Sequence, residues 1–263
     1  MSSLKRFLKR NSHSNFFKIL AGFGRSLNRL YENRNHDVYS NGEFTVLKKI
    51  AKLNPKVIID GGANIGKYSL LIQNTNPQAT TYAFEPVKKT YEILKINIGQ
   101  YSNIVAIQKG LYKEGTSMEI NLFESNTHSS IFDINKGMTK SNKNTTIELV
   151  NGDSFLTDAK IDYVDFLKLD LEGAEYDAIV GFEESLKSGK IRAIQFEYGY
   201  INIVTKKLLI DFYNLFEKYG YIIGKIFPKT VEFRKYSYKC EDFLGPNFIA
   251  VKKNDFEIIN LLK

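Results

Sequence analysis

The chain has 263 residues, 43% of them hydrophobic and 25% charged, a balance that suits one large globular domain with a short extension and excludes a fibrous or wholly disordered chain. Its one cysteine, Cys240, rules out an intrachain disulfide and a cysteine-rich zinc site, and its three histidines, His13, His36 and His128, show no metal-ligand spacing, so no metal site is expected. The net charge of +8 is uneven: Lys5, Arg6, Lys9, Arg10, Lys18, Arg25, Arg29 and Arg34 face only Glu32 within residues 1–36, which leaves the rest of the chain nearly neutral.

That basic stretch comes first. Phe16, Leu20, Phe23, Leu27, Leu30 and Tyr31 recur at helical spacing, so residues 1–40 are predicted to be a basic helical extension ahead of a domain spanning 41–263. Two readings stay open. The helix packs its apolar face on the domain, or residues 4–31 adsorb to an anionic membrane surface or a polyanionic glycan carrier. No apolar run reaches the roughly 20 residues needed to cross a bilayer, and no signal-peptide core is present. The expected location is cytoplasmic, peripheral to the inner face of the membrane under the second reading.

From residue 55 onward short β-branched runs alternate with helical periodicity, the pattern of βαβ units. Strands are predicted at 57–60, 81–84, 104–107, 166–170, 193–197, 221–226 and 248–251, with helices at 66–73, 87–98, 175–182 and 206–219. These seven strands make a doubly wound, mostly parallel α/β sheet of Rossmann-like type. Two further alternating runs, 117–123 and 145–150, are predicted to form an inserted β-hairpin arm. The polar stretch Asn126–Asn144 between them is read as a candidate lid or a plain solvated loop.

Three strand ends carry the chemistry. Val57-Ile58-Ile59-Asp60-Gly61-Gly62-Ala63-Asn64-Ile65-Gly66 is a buried strand running through a glycine turn into a helix, where the backbone can approach a ligand closely. Its adjacent glycines depart from the dinucleotide GxGxxG. Glu85 closes the second strand, where a doubly wound fold presents an acid to ribose hydroxyls, and Pro86 suits the following helix start. The third is Lys168-Leu169-Asp170-Leu171-Glu172-Gly173-Ala174-Glu175.

With Asp60-Gly61-Gly62-Ala63-Asn64-Ile65-Gly66 upstream, this last segment resembles the FkbM family of methyltransferases. The similarity runs from about Asn41 to Lys253 and includes Asn41-Gly42-Glu43 and Phe196-Glu197-Tyr198. It implies a class I methyltransferase fold, S-adenosylmethionine (SAM) as cofactor, and transfer to a hydroxyl of a sugar or natural product. Carried over by position, Asp60, Gly61, Gly62, Asn64 and Gly66 surround the methionine moiety, Glu85 takes the ribose, Gly110 stands near the adenine, and Lys168, Asp170, Glu172 and Glu175 face the reaction.

Asp170 is the preferred base or hydroxyl-orienting group and a cofactor contact as well. Lys168, inside an apolar strand, needs a carboxylate, and Asp170 or Glu197 could supply it. Glu197 joins the catalytic candidates on that ground, and Asp170 with Glu197 offers an alternative Mg²⁺ site. Glu172 and Glu175 are equally explained as acids favoured by a helix dipole. Tyr198, Tyr200, Tyr236 and Tyr238 could stack on sugar rings. The acceptor is expected to be a small-molecule or glycan hydroxyl rather than nucleic acid, because no Asn-Pro-Pro-Tyr or Asp-Pro-Pro-Tyr clamp for an extruded base follows the fourth strand. Rival readings are a non-catalytic SAM-binding module and an NAD oxidoreductase.

Overall fold

The computed structural model describes residues 3–123, 129–130 and 140–263. In chain order its strands are β1 Val57–Gly61, β2 Thr80–Phe84, β3 Ile104–Ile107, β4 Gly110–Tyr112, β5 Thr116–Phe123, β6 Ser129–Ser130, β7 Lys140–Asn151, β8 Val164–Leu169, β9 Ile191–Glu197, β10 Tyr221–Ile226, β11 Val231–Phe233 and β12 Asn247–Lys252. The helices are α1 Ser3–Arg10, α2 Asn15–Tyr31, α3 Glu43–Ala51, α4 Lys67–Thr75, α5 Lys88–Ile98, α6 Gly152–Asp158, α7 Glu175–Val180, α8 Glu183–Lys187, α9 Ile201–Thr205, α10 Leu209–Lys218 and α11 Phe256–Leu262.

The main sheet runs β11-β10-β12-β9-β8-β1-β2-β3. Pairings from β3 to β9 are parallel, while β12 lies antiparallel to both β9 and β10. This is the doubly wound class I methyltransferase arrangement the sequence leads one to expect. All seven predicted strands form. An eighth, β11, is added at the edge; its three residues pair with β10 alone, too short a run to show alternation.

Alternate residues of each central strand serve opposite faces. Ile58, Phe166, Ala193, Ile249 and Val251 pack with Leu47 and Ile50 of α3, Ile72 of α4 and Ile258 of α11. Ile59, Leu167, Ile194 and Phe196 pack on the other face with Ala178 and Ile179 of α7 and Phe212 and Phe216 of α10. The predicted helix at 206–219 starts later, at Leu209, because Lys206 takes a left-handed φ of 58° and separates it from α9.

The arm is larger than a hairpin. Strands β5 and β7 pair antiparallel, β4 lies parallel to β7, and β6 edges β5, giving a second sheet of order β4-β7-β5-β6. The candidate lid at Asn126–Asn144 falls largely outside the described residues.

The extension departs from the first of its two readings. Helices α1 and α2 form, yet neither has a buried residue, so the apolar face is not packed on the domain. Packing begins at Glu32, ahead of the expected boundary at Asn41. Lys225, buried in β10, donates to Glu32 Oε2 at 2.6 Å and to the Leu244 carbonyl at 2.8 Å. Asn33 Nδ2 donates to the carbonyls of Asn41 and Ile226. Among the described residues no helix is long and apolar enough to cross a membrane.

Candidate active site

Strand order reverses at β1: the chain steps outward to β2 and β3, then returns to β8 on the other side. Loops at the carboxyl ends of β1 and β8 therefore diverge and leave a crevice, the usual ligand position in such sheets. Their approach is set by Gly62. It has φ +80°, and a Cβ there would stand 1.9 Å from the Asp170 carbonyl oxygen, so no other residue fits without separating the two loops. Gly66, also at positive φ, caps α4.

Parallel pairing places Asp60 beside Lys168 and Lys168 beside Gln195, a polar row within otherwise apolar strands. Lys168 Nζ lies 3.2 Å from Asp170 Oδ2 and 3.5 Å from Asp60 Oδ1, and 4.8 Å from the Tyr68 ring centroid. Burial pulls the lysine pKa down, but Asp170, Asp60 and Glu43 outweigh burial and hold it above the ordinary value. The lysine stays charged and pairs with Asp60 and Asp170, not Glu197.

Glu43 closes this row from α3. Its Oε1 accepts from Gln195 Nε2 at 2.6 Å and its Oε2 from Asn41 Nδ2 at 2.7 Å. Burial raises its pKa and, with Glu43 and Asp60 nearby, raises that of Tyr68 well above the ordinary value. Lys168, Asp170, Glu43, Tyr68 and the turn 62–65 line a cleft of about 660 Å³ whose outer wall is His36–Tyr39. That volume lies in the range of cofactor pockets.

The structure separates the sequence candidates. Gly62, Asn64, Lys168 and Asp170 line the cleft. Asp60 does not: it is wholly buried, with Oδ2 accepting from Ser69 Oγ at 2.6 Å. Gly61 is buried against Leu169 and Leu111, and Gly66 against Leu94. Gly110 sits in β4 against Leu149 and Pro86 and is absent from the cleft lining. Glu85 accepts from the backbone N–H groups of Asn64 at 3.1 Å and Val87 at 2.9 Å; burial nonetheless pushes its pKa up to about 7.

The acids after β8 divide as well. Asp170 keeps 40% of its side chain exposed. Glu172 adopts a left-handed φ of 51° in the loop. Glu175 is buried, accepting from the N–H groups of Leu171 at 2.6 Å and Gly173 at 3.0 Å, with burial lifting its pKa to about 7. Through these bonds it braces the loop. At the end of β9, burial and then the charge of Asp170 push the Glu197 pKa well above the carboxylate range. Among the described residues no group of three or more His, Cys, Asp or Glu is arranged to hold a metal ion.

Tyr198 is 1% exposed and its hydroxyl donates to Glu241, so it belongs to the core and offers no sugar platform. Tyr236 also donates to Glu241, at 3.0 Å, against the Tyr213 ring. Tyr200 and Tyr238 are exposed, and none of the four lines the cleft. Sequence reasoning missed Tyr68, Gln195 and the His36–Tyr39 wall, and read Glu43 only as part of a motif. One signal was available: Gln195 interrupts an apolar central strand, and a buried amide there needs a partner.

A doubly wound sheet with its cleft at the switch point, a glycine turn and an acid at the second strand end defines a nucleoside-cofactor site of class I methyltransferase form. The methyltransferase FkbM domain model matches residues 60–223, and the chain belongs to that family, whose cofactor is SAM. The chain is 30% identical over 156 residues to methyltransferase sdnD of Sordaria araneosa, covering 48% of this chain and 60% of that one. The chain thus spans about three-fifths of the curated relatives' length. Two solved structures are similar at lower levels. Precorrin-6y C5,15-methyltransferase of Geobacter metallireducens GS-15 has a TM-score of 0.40 and 13% identity, covering 79% of this chain and 84% of that one. Aeropyrum pernix fibrillarin, solved with natively bound SAM, has 0.41 and 11%, covering 75% and 66%.

The cleft residues fit that cofactor. The Gly62 cradle, which a Cβ would fill, admits close backbone approach. The half-exposed Asp170 carboxylate and that of Glu43 suit an ammonium and a sulfonium, and Lys168 suits a carboxylate. Asp60 Oδ1 is buried without a hydrogen bond; its contact to Lys168 is ionic, so it orients that lysine from behind.

Proposed function

We propose that the chain is an active SAM-dependent O-methyltransferase whose acceptor is a hydroxyl on a sugar of a surface glycan, a nucleotide sugar or a related natural product, working in the cytoplasm at the membrane's inner face. The observation carrying this reading is a half-exposed carboxylate, Asp170, held 3.2 Å from a buried lysine at the mouth of the cleft. When bound, SAM supplies an electrophilic methyl group.

Gly62, Asn64 and the turn to Gly66 then cradle the methionine end, Gly61 supports that turn, and Glu85 accepts the ribose hydroxyls. Gly110, packed against Pro86, has only an indirect place, beside the residue that follows Glu85. Asp170 orients the acceptor hydroxyl and takes its proton as the oxygen becomes methylated. Such a positioned base contributes about 10²- to 10⁴-fold, and alignment of the reactants adds about 7 to 11 kcal/mol. Lys168, 3.2 Å away, holds the Asp170 carboxylate correctly turned. Glu197, whose burial and the nearby charge of Asp170 disfavour its ionised form, is a weaker candidate for the base than Asp170 and stands behind it at the end of β9, with Glu172 at the rim. The catalytic unit is taken as 32–263 in place of 41–263, a choice supported by the burial of Asn33 and the Glu32–Lys225 pair.

The test is conversion of SAM to S-adenosylhomocysteine over a panel of nucleotide sugars and polysaccharide fragments, with mass spectrometry locating the added methyl. Wild-type transfer to oxygen, with kcat at saturating SAM reduced at least 100-fold in Asp170→Asn, supports the reading. Transfer to nitrogen, or an active Asp170→Asn enzyme, refutes it.

A further inference from the structure

We propose that residues 4–31 form a docking element for anionic lipid, which would hold the mouth of the cleft at the headgroup layer. This inference deepens the membrane-side placement proposed above and rests on that reading, while standing apart from the transfer chemistry.

On α2, at about 100° per residue, Phe16, Ile19, Leu20, Phe23, Leu27, Leu30 and Tyr31 fall within an arc of about 120°. Lys18, Arg25 and Arg29 lie on the opposite side. Helix α1 repeats the division, with Leu4, Phe7 and Leu8 on one face and Lys5, Arg6, Lys9 and Arg10 around the other. The apolar residues are uncovered: Phe16 is 68% exposed, Phe23 63% and Leu30 79%.

Such a face needs a partner, and charge selects it. Residues 1–31 contain seven Lys and Arg and no Asp or Glu. A second copy of the helices would bring the same positive charge. An anionic bilayer surface supplies both an apolar layer for one face and negative headgroups for the other. The placement matters because α2 ends at Tyr31, the ion pair at Glu32 fixes the chain to β10, and the cleft wall starts at His36. Five residues reach at most about 17 Å.

The experiment is flotation of the full chain with vesicles of phosphatidylcholine plus phosphatidylglycerol, and of phosphatidylcholine alone. Binding to the mixed vesicles should exceed binding to the neutral ones at least tenfold at about 0.1 M salt. It should collapse at about 1 M, where the screening length falls from about 10 Å to about 3 Å. The double variant Phe16→Glu, Phe23→Glu should not float. Gly24→Ala, whose added Cβ meets nothing within 4 Å, should bind about fivefold more tightly because alanine favours the helix by about 1 kcal/mol. SAM titration should be the same in all three proteins, which separates loss of docking from failure of the cofactor reading. No flotation, equal flotation with neutral vesicles, capture by dextran sulfate but not by anionic vesicles, or a wild-type dimer that the double variant dissolves would each overturn the proposal.

Discussion

Replacing Lys168 with methionine removes the one cation from a buried row of acids. Asp60 lies 3.5 Å away and neither side chain is more than 5% exposed, so at an effective dielectric constant of about 20 their attraction is about 5 kcal/mol. Asp170, 40% exposed, adds less than about 1 kcal/mol after solvent screening. Removing one partner of a buried pair ordinarily costs about 3 to 5 kcal/mol, and Lys168→Met should fall in that range. With an unfolding entropy of about 2.1 cal/mol/K per residue, Tm should drop by about 7 °C. Urea denaturation at pH 7.5 without cofactor measures the free-energy loss. Adding Asp60→Asn should restore more than half of it, because the stranded charge is gone and the oxygen of the new side-chain amide still accepts from Ser69. A loss below about 1 kcal/mol, or strict additivity in the double variant, would refute the ionic account of this row.

Cofactor binding should depend on pH through Glu85. Its free-state pKa of about 7 means that ligand hydroxyls donating to the carboxylate must first displace a proton at lower pH. Affinity should be full above pH 7 and fall toward tenfold per unit below it, with Glu85→Gln weak and flat; calorimetry from pH 6 to 8 reads the slope. The same group favours the empty fold at low pH: its folded pKa exceeds its ordinary value of 4.5, so that stabilisation is complete below 4.5 and lost as pH rises through 7. Gly62→Ala should cost about 2 kcal/mol or more and weaken SAM binding at least tenfold by forcing β1 and β8 apart; unchanged binding would remove the cradle. Tyr198→Phe should cost about 1 kcal/mol through Glu241 and leave acceptor KM unaltered, whereas a raised KM would restore the sugar-stacking role.

The sheet was legible because its central strands are continuous β-branched runs punctuated by glycine, a signal independent of distant contacts. Strand β11 was not, since an edge strand of three residues leaves no period to read. The site was only half legible. Its motif residues cluster at strand ends and announce themselves, but the division among them depends on burial. Asp60 reads as a ligand and proves to stand behind Lys168. Glu175 reads equally as a reaction-facing acid and as one favoured by a helix dipole, and is buried, accepting from the loop's own N–H groups. Tyr68, Gln195 and Glu43 come from α4, β9 and α3, and only the register of β8 with β9 and the packing of the two helices on the sheet bring them together.

The ion pair between Glu32 and Lys225 divides the chain under two regimes of selection. After it, the strands and the inner helix faces build a packed interior, where a methylene is felt. Before it, no described residue is buried, so residues 3–31 can drift, lengthen or be exchanged without disturbing the sheet. Replacing these helices with an unrelated segment ahead of Glu32 should therefore yield a protein that folds as before, with the same urea midpoint.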